Sequence, residues 1–409
     1  MIGGLMKTTS RFALAAAATA VMASGAMAAD LGGNCCADLE ERVAELEATT
    51  ARKGNRKVSL TVYGQVNKQL LWHDADEPDS FRSDKLSIRD NDAGMSRIGV
   101  RGSAKIRPDL EAGYVIVMGL QENAGVAMSN SIIRENYVYL DSTAMGRVTL
   151  GQASQVTDGL FEINLANALA TPMGMDTAAG MLDGNTAATL GAFNRTFATP
   201  FDGARRQGLY YRTPTLAGFV LSTGFSHGTG NSAIATDSAD YWEVALRYAG
   251  EFNGIRFAAG VGYRNEEINN GPGDENDVWM FSSSTMHVPT GLFLSGGYAA
   301  LDSNNNSDRD AWWLMAGIER NFFGPGATTF YGEFGQSNFS DETVDAVDQS
   351  LDQLDGSYWG IGVVQKIDAA AADLYLQYRN YKLDGLDDGV TNRASRDASV
   401  INAGMIIRF

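Results

Sequence analysis

The residues able to do covalent chemistry in this chain are few and scattered. Its histidines are His73, His227 and His287, and none shares a local motif with a serine and a carboxylate, although such triads need not be close in sequence. No Cys/His spacing fits a metal centre. Asp302-Ser303-Asn304-Asn305-Asn306 opens like a calcium loop, but Ser307 stands where the sixth-position glycine belongs and Trp313 where the distal glutamate does. No catalytic centre, metal or cofactor is expected. Charge, in contrast, is spaced regularly. Arg97, Arg101 and Lys105 recur at every fourth position, which on a β-strand is one face. A row of cations on one face makes and breaks no bonds; it sets the field in whatever that face lines.

The elements that carry such rows are short. About sixteen segments alternate apolar with polar residues, each roughly ten residues long, the length a tilted strand needs to cross an outer membrane. Val58, Leu60, Val62, Gly64, Val66, Leu70 and Trp72 form one face of the first, and Ser59, Thr61, Tyr63, Gln65, Asn67 and Gln69 the other. Lys68 interrupts the apolar set and marks a candidate subunit contact. Strands are expected next at Arg97–Ile106, Leu110–Leu120, Ile133–Leu140 and Arg147–Gln152, with Ile98, Val100, Ala104 and Ile106 outside. The connections alternate short with long, and the longest, Ala153–Arg205, contains no convincing strand. A loop of that length is usually functional or disordered, and Leu160–Leu165 argues for packing. Among the later strands are Tyr241–Ala249, Ser357–Ile367, Asp373–Lys382 and Ser399–Phe409. Polar loops include His73–Met95, Asn265–Asp277 and Leu383–Ala398. In the last strand Ile401, Ala403, Met405, Ile407 and Phe409 form one apolar stripe. Trp72, Tyr139, Tyr248, Trp279 and Tyr298 fit interfacial aromatic belts.

Composition agrees with a barrel more readily than with helices. Only 44% of the 409 residues are hydrophobic, and past the N-terminus the longest apolar run, Tyr114–Leu120, is far too short for a membrane helix. Barrels place their lipid face in every second residue, so a soluble-looking average is compatible with insertion. At the N-terminus, Lys7 and Arg11 precede the Ala-rich run Phe12–Ala23, and Ala26-Met27-Ala28 offers a cleavage site. Residues 1–28 therefore read as a secretory signal peptide. Residues 29–55 form a periplasmic segment, in which Leu39, Val43 and Leu46 give Ala37–Thr50 the seam of a short coiled coil or a solvated helix. Residues 56–409 form the barrel. Cys35 and Cys36 are adjacent, which suits free thiols or links between chains better than one ring. The net charge of −17 makes nucleic acid an unsuitable partner; acidic outer loops instead suit divalent cations bridging to lipopolysaccharide phosphates.

Several motifs carry a family resemblance. Cys36-Ala37-Asp38-Leu39-Glu40-Glu41-Arg42-Val43-Ala44-Glu45-Leu46-Glu47 followed by Lys57-Val58-Ser59-Leu60-Thr61-Val62-Tyr63-Gly64 resembles the mature start of alphaproteobacterial general-diffusion porins. Ser96-Arg97-Ile98-Gly99-Val100-Arg101-Gly102 is similar to the second-strand motif of porins. Leu209-Tyr210-Tyr211-Arg212-Thr213-Pro214-Thr215-Leu216-Ala217-Gly218-Phe219 resembles their strand–turn–strand signature. The resemblance spans the whole mature chain. It implies an all-β fold, a sixteen-stranded antiparallel transmembrane β-barrel assembled as a homotrimer, with the third outer loop, here Ala153–Arg205, folded inward. It also implies that the terminal Phe409 is the signal read by the barrel-assembly machinery. In some relatives the mature N-terminus is linked to peptidoglycan, a role open to Ala29.

On that reading the chain is an outer-membrane channel passing small hydrophilic solutes and ions passively, with no enzymatic step. Such a channel needs a wet hole whose charges compensate partial dehydration. Arg97, Arg101, Arg134, Arg147 and Arg206 are the candidates for a basic wall. Asp158, Glu162, Asp176 and Asp183 are the candidates for acids on the constriction loop. Two alternatives are a solute-selective channel, marked by aromatic ladders in the lumen, and a tether between outer membrane and cell wall.

Overall fold

A strand with lipid on one side and water on the other must alternate its side chains, and the wall strands do so. The structure, a computed structural model, describes residues 57–75, 85–91, 94–120, 132–168, 201–229, 238–268, 275–304, 308–340, 353–386 and 394–409. The signal peptide, the coiled-coil segment, Ala29, Cys35 and Cys36 lie outside the described residues. Seventeen strand segments are present among them. They begin with β1 (Thr61–Ala75), β2 (Lys85–Asp90), β3 (Arg97–Arg107), β4 (Leu110–Gly119), β5 (Ile132–Ser142) and β6 (Gly146–Ser154). Then follow β7 (Arg205–Arg212), β8 (Phe219–Thr229), β9 (Ser238–Phe252), β10 (Ile255–Ile268), β11 (Glu275–His287) and β12 (Leu292–Ser303). The wall finishes with β13 (Arg309–Arg320), β14 (Thr328–Ser340), β15 (Gln353–Ile367), β16 (Ala372–Leu386) and β17 (Ala394–Arg408).

Every sequential pair from β3 to β17 is antiparallel, and β1 closes the ring by pairing with β17 from Gln65↔Arg408 to Ala75↔Ala398. On its other side β1 pairs with β3 through Thr61↔Arg101 to Gln65↔Arg97, then with β2 through Lys68↔Asp90 to His73↔Lys85. The two segments therefore lie end to end, and the wall is sixteen strands around. Closure pairs the two ends of the sheet with each other, and hydrocarbon would not tolerate them unpaired.

In β1 the inward Gln65, Asn67 and Gln69 are buried, while Val62, Val66 and Leu70 stay 45–55% exposed on the outside. In β17 Met405 and Ile407 face out and Asn402 is buried inside. Outward aromatics pair along two levels. Trp242, Tyr263 and Trp279 stack in sequence at 4.9 and 4.5 Å near the loop ends, joined there by Trp359 and Tyr378 at 5.3 Å. Phe219, Tyr248 and Phe257 contact at 4.7 and 6.0 Å near the turn ends.

Four expectations are corrected. Tyr139 does not belong to an outer belt: Val138 and Leu140 take the outside, so Tyr139 points inward, donates to Glu111 Oε1 at 3.3 Å and lies under the Arg147 guanidinium at 4.1 Å. The segment His73–Met95 is not all loop, because β1 continues to Ala75 and β2 forms against it. Strands run further toward the outer loops than the alternation suggested, β9 from Ser238, β15 from Gln353, β16 to Leu386 and β17 from Ala394. Above the apolar band both faces meet water, so the period-two code fades while the ladder continues. The inward face is also less polar than expected: Val278, Met280, Phe293, Trp313 and Met315 are buried there around Leu160 and Phe161 of the long connection. The expectation for Lys68 is not among these corrections: its ammonium pairs with Asp90 at 2.7 Å within the chain and its side chain stays 41% exposed.

Candidate constriction site

The described part of the connection between β6 and β7, called L3 below, turns inward immediately after Ser154 and lies along the lumenal face of β9–β13. Its first anchor is Glu243 on β9. That fully buried carboxylate accepts the Val156 amide at 2.9 Å, the Thr157 amide at 3.0 Å and the Thr157 hydroxyl at 2.7 Å. Arg264 on β10 donates to the same hydroxyl at 3.2 Å and to the Phe201 carbonyl at 3.1 Å. Arg247 on β9 donates to the Asp158 carbonyl at 2.9 Å.

Further along, Ser282 Oγ donates to the Leu160 carbonyl at 2.5 Å and accepts the Ile163 amide at 3.1 Å. The Ser284 hydroxyl takes the Leu165 amide at 3.0 Å, and Trp313 Nε1 donates to the Phe161 carbonyl at 2.8 Å. Between these polar ties Leu160, Phe161 and Ile163 are fully buried. Room for them comes from Gly260: a Cβ there would lie 2.6 Å from a Leu160 methyl and 2.8 Å from one of Ile163. Hydrogen-bonding the exposed backbone of a loop to side chains of the wall is what allows irregular chain at membrane depth.

Halfway round the ring from β11 stands the β2–β3 position, and it carries arginine. Arg97 lies 3.5 Å from Gln65 Oε1, and Arg101 lies over the Tyr63 ring at 5.1 Å. Arg134 sits at an irregularity where the β4–β5 register shifts between Val117 and Met118, and its aliphatic chain covers Gly119, the register partner of Arg97. Arg97, Arg134 and Arg205 stand close enough to act on one another electrostatically.

The other sequence candidates fall elsewhere. Arg147, just inside the Ser142–Gly146 turn, pairs with Asp141, its register partner, Nε to Oδ2 being 2.7 Å. Arg206 lies over the Tyr241 ring at 3.8 Å near the root of L3. Asp158 also belongs to that root: it is 4% exposed and ion-paired with Arg205 at 3.0 Å. Glu162 lies between the wall-packed Phe161 and Ile163, with Oε1 lacking a hydrogen-bond partner among the described residues. Asp176 and Asp183 lie outside the described residues. Sequence reasoning missed Glu243, Arg264, Arg205 and Asp202. Asp202 accepts the Gly159 amide at 2.6 Å. Burial, reinforced by Glu162 and Asp158, raises its carboxyl well above the ordinary carboxylate range, with the Gly159 bond acting in the opposite sense.

Known structures share this architecture. The anion-selective porin of Comamonas acidovorans is 18% identical, with 86% of this chain and all of that one covered and a TM-score of 0.56. OmpF of Salmonella typhi, solved with daunomycin, is 15% identical over 86% of this chain and 98% of its own, with a TM-score of 0.57. OmpT of Vibrio cholerae, an outer-membrane protein solved in a trimer form, is 13% identical over 86% and 99%, with a TM-score of 0.54. At these identities the likeness is one of fold. No curated protein sequence matches. A Gram-negative porin family model matches residues 13–404, almost the whole chain. A closed barrel with a loop bound to its lumenal wall and a family match of that extent lead to one conclusion: the chain belongs to the Gram-negative porins, passive channels of the outer membrane.

Proposed function

We propose that solutes pass between L3 and the Arg97–Arg101–Arg134 wall, and that this gap sets size and charge preference. The observation that carries the reading is the attachment of L3 to β9–β13, with arginines on the strands halfway round. Fixed cations beside a narrow aqueous path compensate the dehydration of passing anions and orient dipolar solutes. Planar-bilayer recording of the purified protein tests this: stepwise, non-saturating conductance of small ions supports it, and an absence of conductance overturns it.

The assembly proposed is a homotrimer. The outward aromatic pairs of both belts lie on β8–β16, while β1–β6 present aliphatic side chains such as Val66, Leu70, Val138, Leu140 and Leu150. Lipid headgroup levels favour aromatic belts, so the sector without those pairs is the one suited to a neighbouring copy. Cross-linking to a three-chain product checks it. We further infer a mature chain beginning at Ala29, a periplasmic 29–55 segment, delivery by the barrel-assembly machinery through Phe409, and kinship with the alphaproteobacterial branch. Peptidoglycan linkage through Ala29 and acidic outer loops meeting lipopolysaccharide belong to the same reading. Muropeptide mass spectrometry lacking any Ala29-linked peptide would remove the tether.

A solute-selective variant would need rings open to the lumen; Tyr358 and Tyr381 stack on the inward face at 5.8 Å but are each 1% exposed. Saturable conductance of a ring-bearing solute would support that variant over general diffusion.

A further inference from the structure

Behind the root of L3, toward the short-turn end of the barrel, the wall of β5–β9 borders an open recess of about 170 Å³. We propose that this recess is a binding site for a small oxyanion, a phosphate or carboxylate group on a passing solute. It is distinct from the gap between L3 and the Arg97 wall, and it rests on the channel reading only for access.

The lining is richer in cation than its carboxylates neutralise. Arg147, Arg212 and Arg247 all border the recess. Arg147 and Arg212 are register partners on β6 and β7, and both turn to a single carboxylate oxygen, Asp141 Oδ2. Arg147 Nε is 2.7 Å from it and a second Arg147 nitrogen is also in contact, whereas Arg212 stands off at 3.9 Å. One carboxylate thus serves Arg147 well and leaves Arg212 in excess. Arg247 spends its Nη2 on a carbonyl, not a carboxylate, and its buried Nε has no hydrogen-bond partner. Of the two acids that also border the recess, Asp158 pairs with Arg205 at 3.0 Å, while Glu135 accepts only the neutral Ser154 hydroxyl at 3.3 Å and keeps its charge; three arginines against two carboxylates leave the lining one cation in excess.

Neutral donors complete the wall. Tyr137, Thr149 and Ser222 face the same space. Guanidinium forks beside hydroxyl donors match the geometry of a carboxylate or phosphate. A recess of that size admits several waters or one small oxyanion. Partial shielding from water by the root of L3 strengthens each charge-assisted bond relative to the open lumen.

The test uses purified protein in planar bilayers at low ionic strength, with inorganic phosphate and succinate as probes and glycerol as the uncharged control. Saturable reduction of the chloride current by phosphate, with glycerol inert, supports the site. Succinate acting alike extends it to carboxylates, and succinate inert narrows it to tetrahedral anions. Arg212→Gln should raise the half-blocking phosphate concentration roughly tenfold, the loss of one charge-assisted hydrogen bond. Tyr137→Phe, which removes one hydroxyl, guards against a folding artefact and should raise it by a smaller factor. Block that neither substitution weakens overturns the placement. A channel that conducts chloride with no saturable block overturns the site and leaves the porin reading intact, whereas a protein that conducts nothing overturns both.

Discussion

Glu243 and Arg264 are register partners on β9 and β10, and the hydroxyl of Thr157 joins them, donating to the carboxylate at 2.7 Å and accepting from the guanidinium at 3.2 Å. The wall thus holds the inward loop through a charged pair, not through apolar contact alone. Glu243→Ala should orphan the Val156 and Thr157 amides, at about 1–3 kcal/mol for each buried donor left unpaired. The expected outcome is a barrel that still assembles but shows noisier open-channel current and a wider spread of conductance. A quiet single level equal to wild type would show that L3 needs no such tie.

Gly260 leaves the space that Leu160 and Ile163 fill. Gly260→Val should push the loop off β10 toward the opposite wall, since overpacking costs typically 1–3 kcal/mol and moves the softer partner. Unitary conductance should fall, and exclusion of the larger test sugars in liposome swelling should sharpen. Unchanged sugar cut-off would place the narrowest point elsewhere.

Arg97 and Arg101 stand on β3, nearly opposite the strands that hold L3, and are the proposed selectivity wall. Removing a unit charge ~7 Å from the ion path in a water-like medium is worth about 0.6 kcal/mol, about threefold in local chloride occupancy. Arg97→Gln with Arg101→Gln should therefore shift the zero-current potential in a salt gradient toward cation preference. The shift should shrink at high salt through screening. An unmoved reversal potential removes both residues from the selectivity wall.

Gly64 and Phe409 meet at the seam. Their amides and carbonyls exchange bonds of 2.9 and 3.1 Å, and a Cβ on Gly64 would stand 2.7 Å from the Phe409 ring. Gly64→Val should displace that ring, lower the yield of heat-modifiable barrel on gels and lower the temperature at which it unfolds. Gly332→Val, where a Cβ would meet nothing nearer than the Gly360 carbonyl oxygen at 3.8 Å, serves as the control. Equal yields would argue that the glycine is incidental.

How much of this was legible beforehand depended on where water and lipid differ. The outward Val62, Val66 and Leu70 and the terminal stripe ending at Phe409 were readable because hydrocarbon dictates every second residue. Leu86 and Ile88 of β2, 68% and 75% exposed, were not, since six residues flanked by polar chain carry too little periodicity. The length of L3 announced a functional loop, but its landing strip did not. Glu243 and Arg264 look like ordinary inward positions, and only their register across β9 and β10 brings them to Thr157. The faint signal was Gly260-x-Gly262, two inward glycines where a strand would otherwise carry side chains. Arg205 escaped because its partner Asp158 lies on the far side of the L3 excursion, and such pairing is set by tertiary closure.

The seam between β1 and β17 joins the beginning of the wall to its end, pairing Gln65 with Arg408. A cylinder sewn that way cannot be sealed until its final strand has been delivered. Up to that moment a growing intermediate carries two raw margins of unsatisfied amides and carbonyls, each a template for the wrong neighbour. Contacts of such long sequence separation also form slowly. For this polypeptide the hazardous interval is therefore the time before closure, and the last few residues to arrive are the ones that end it.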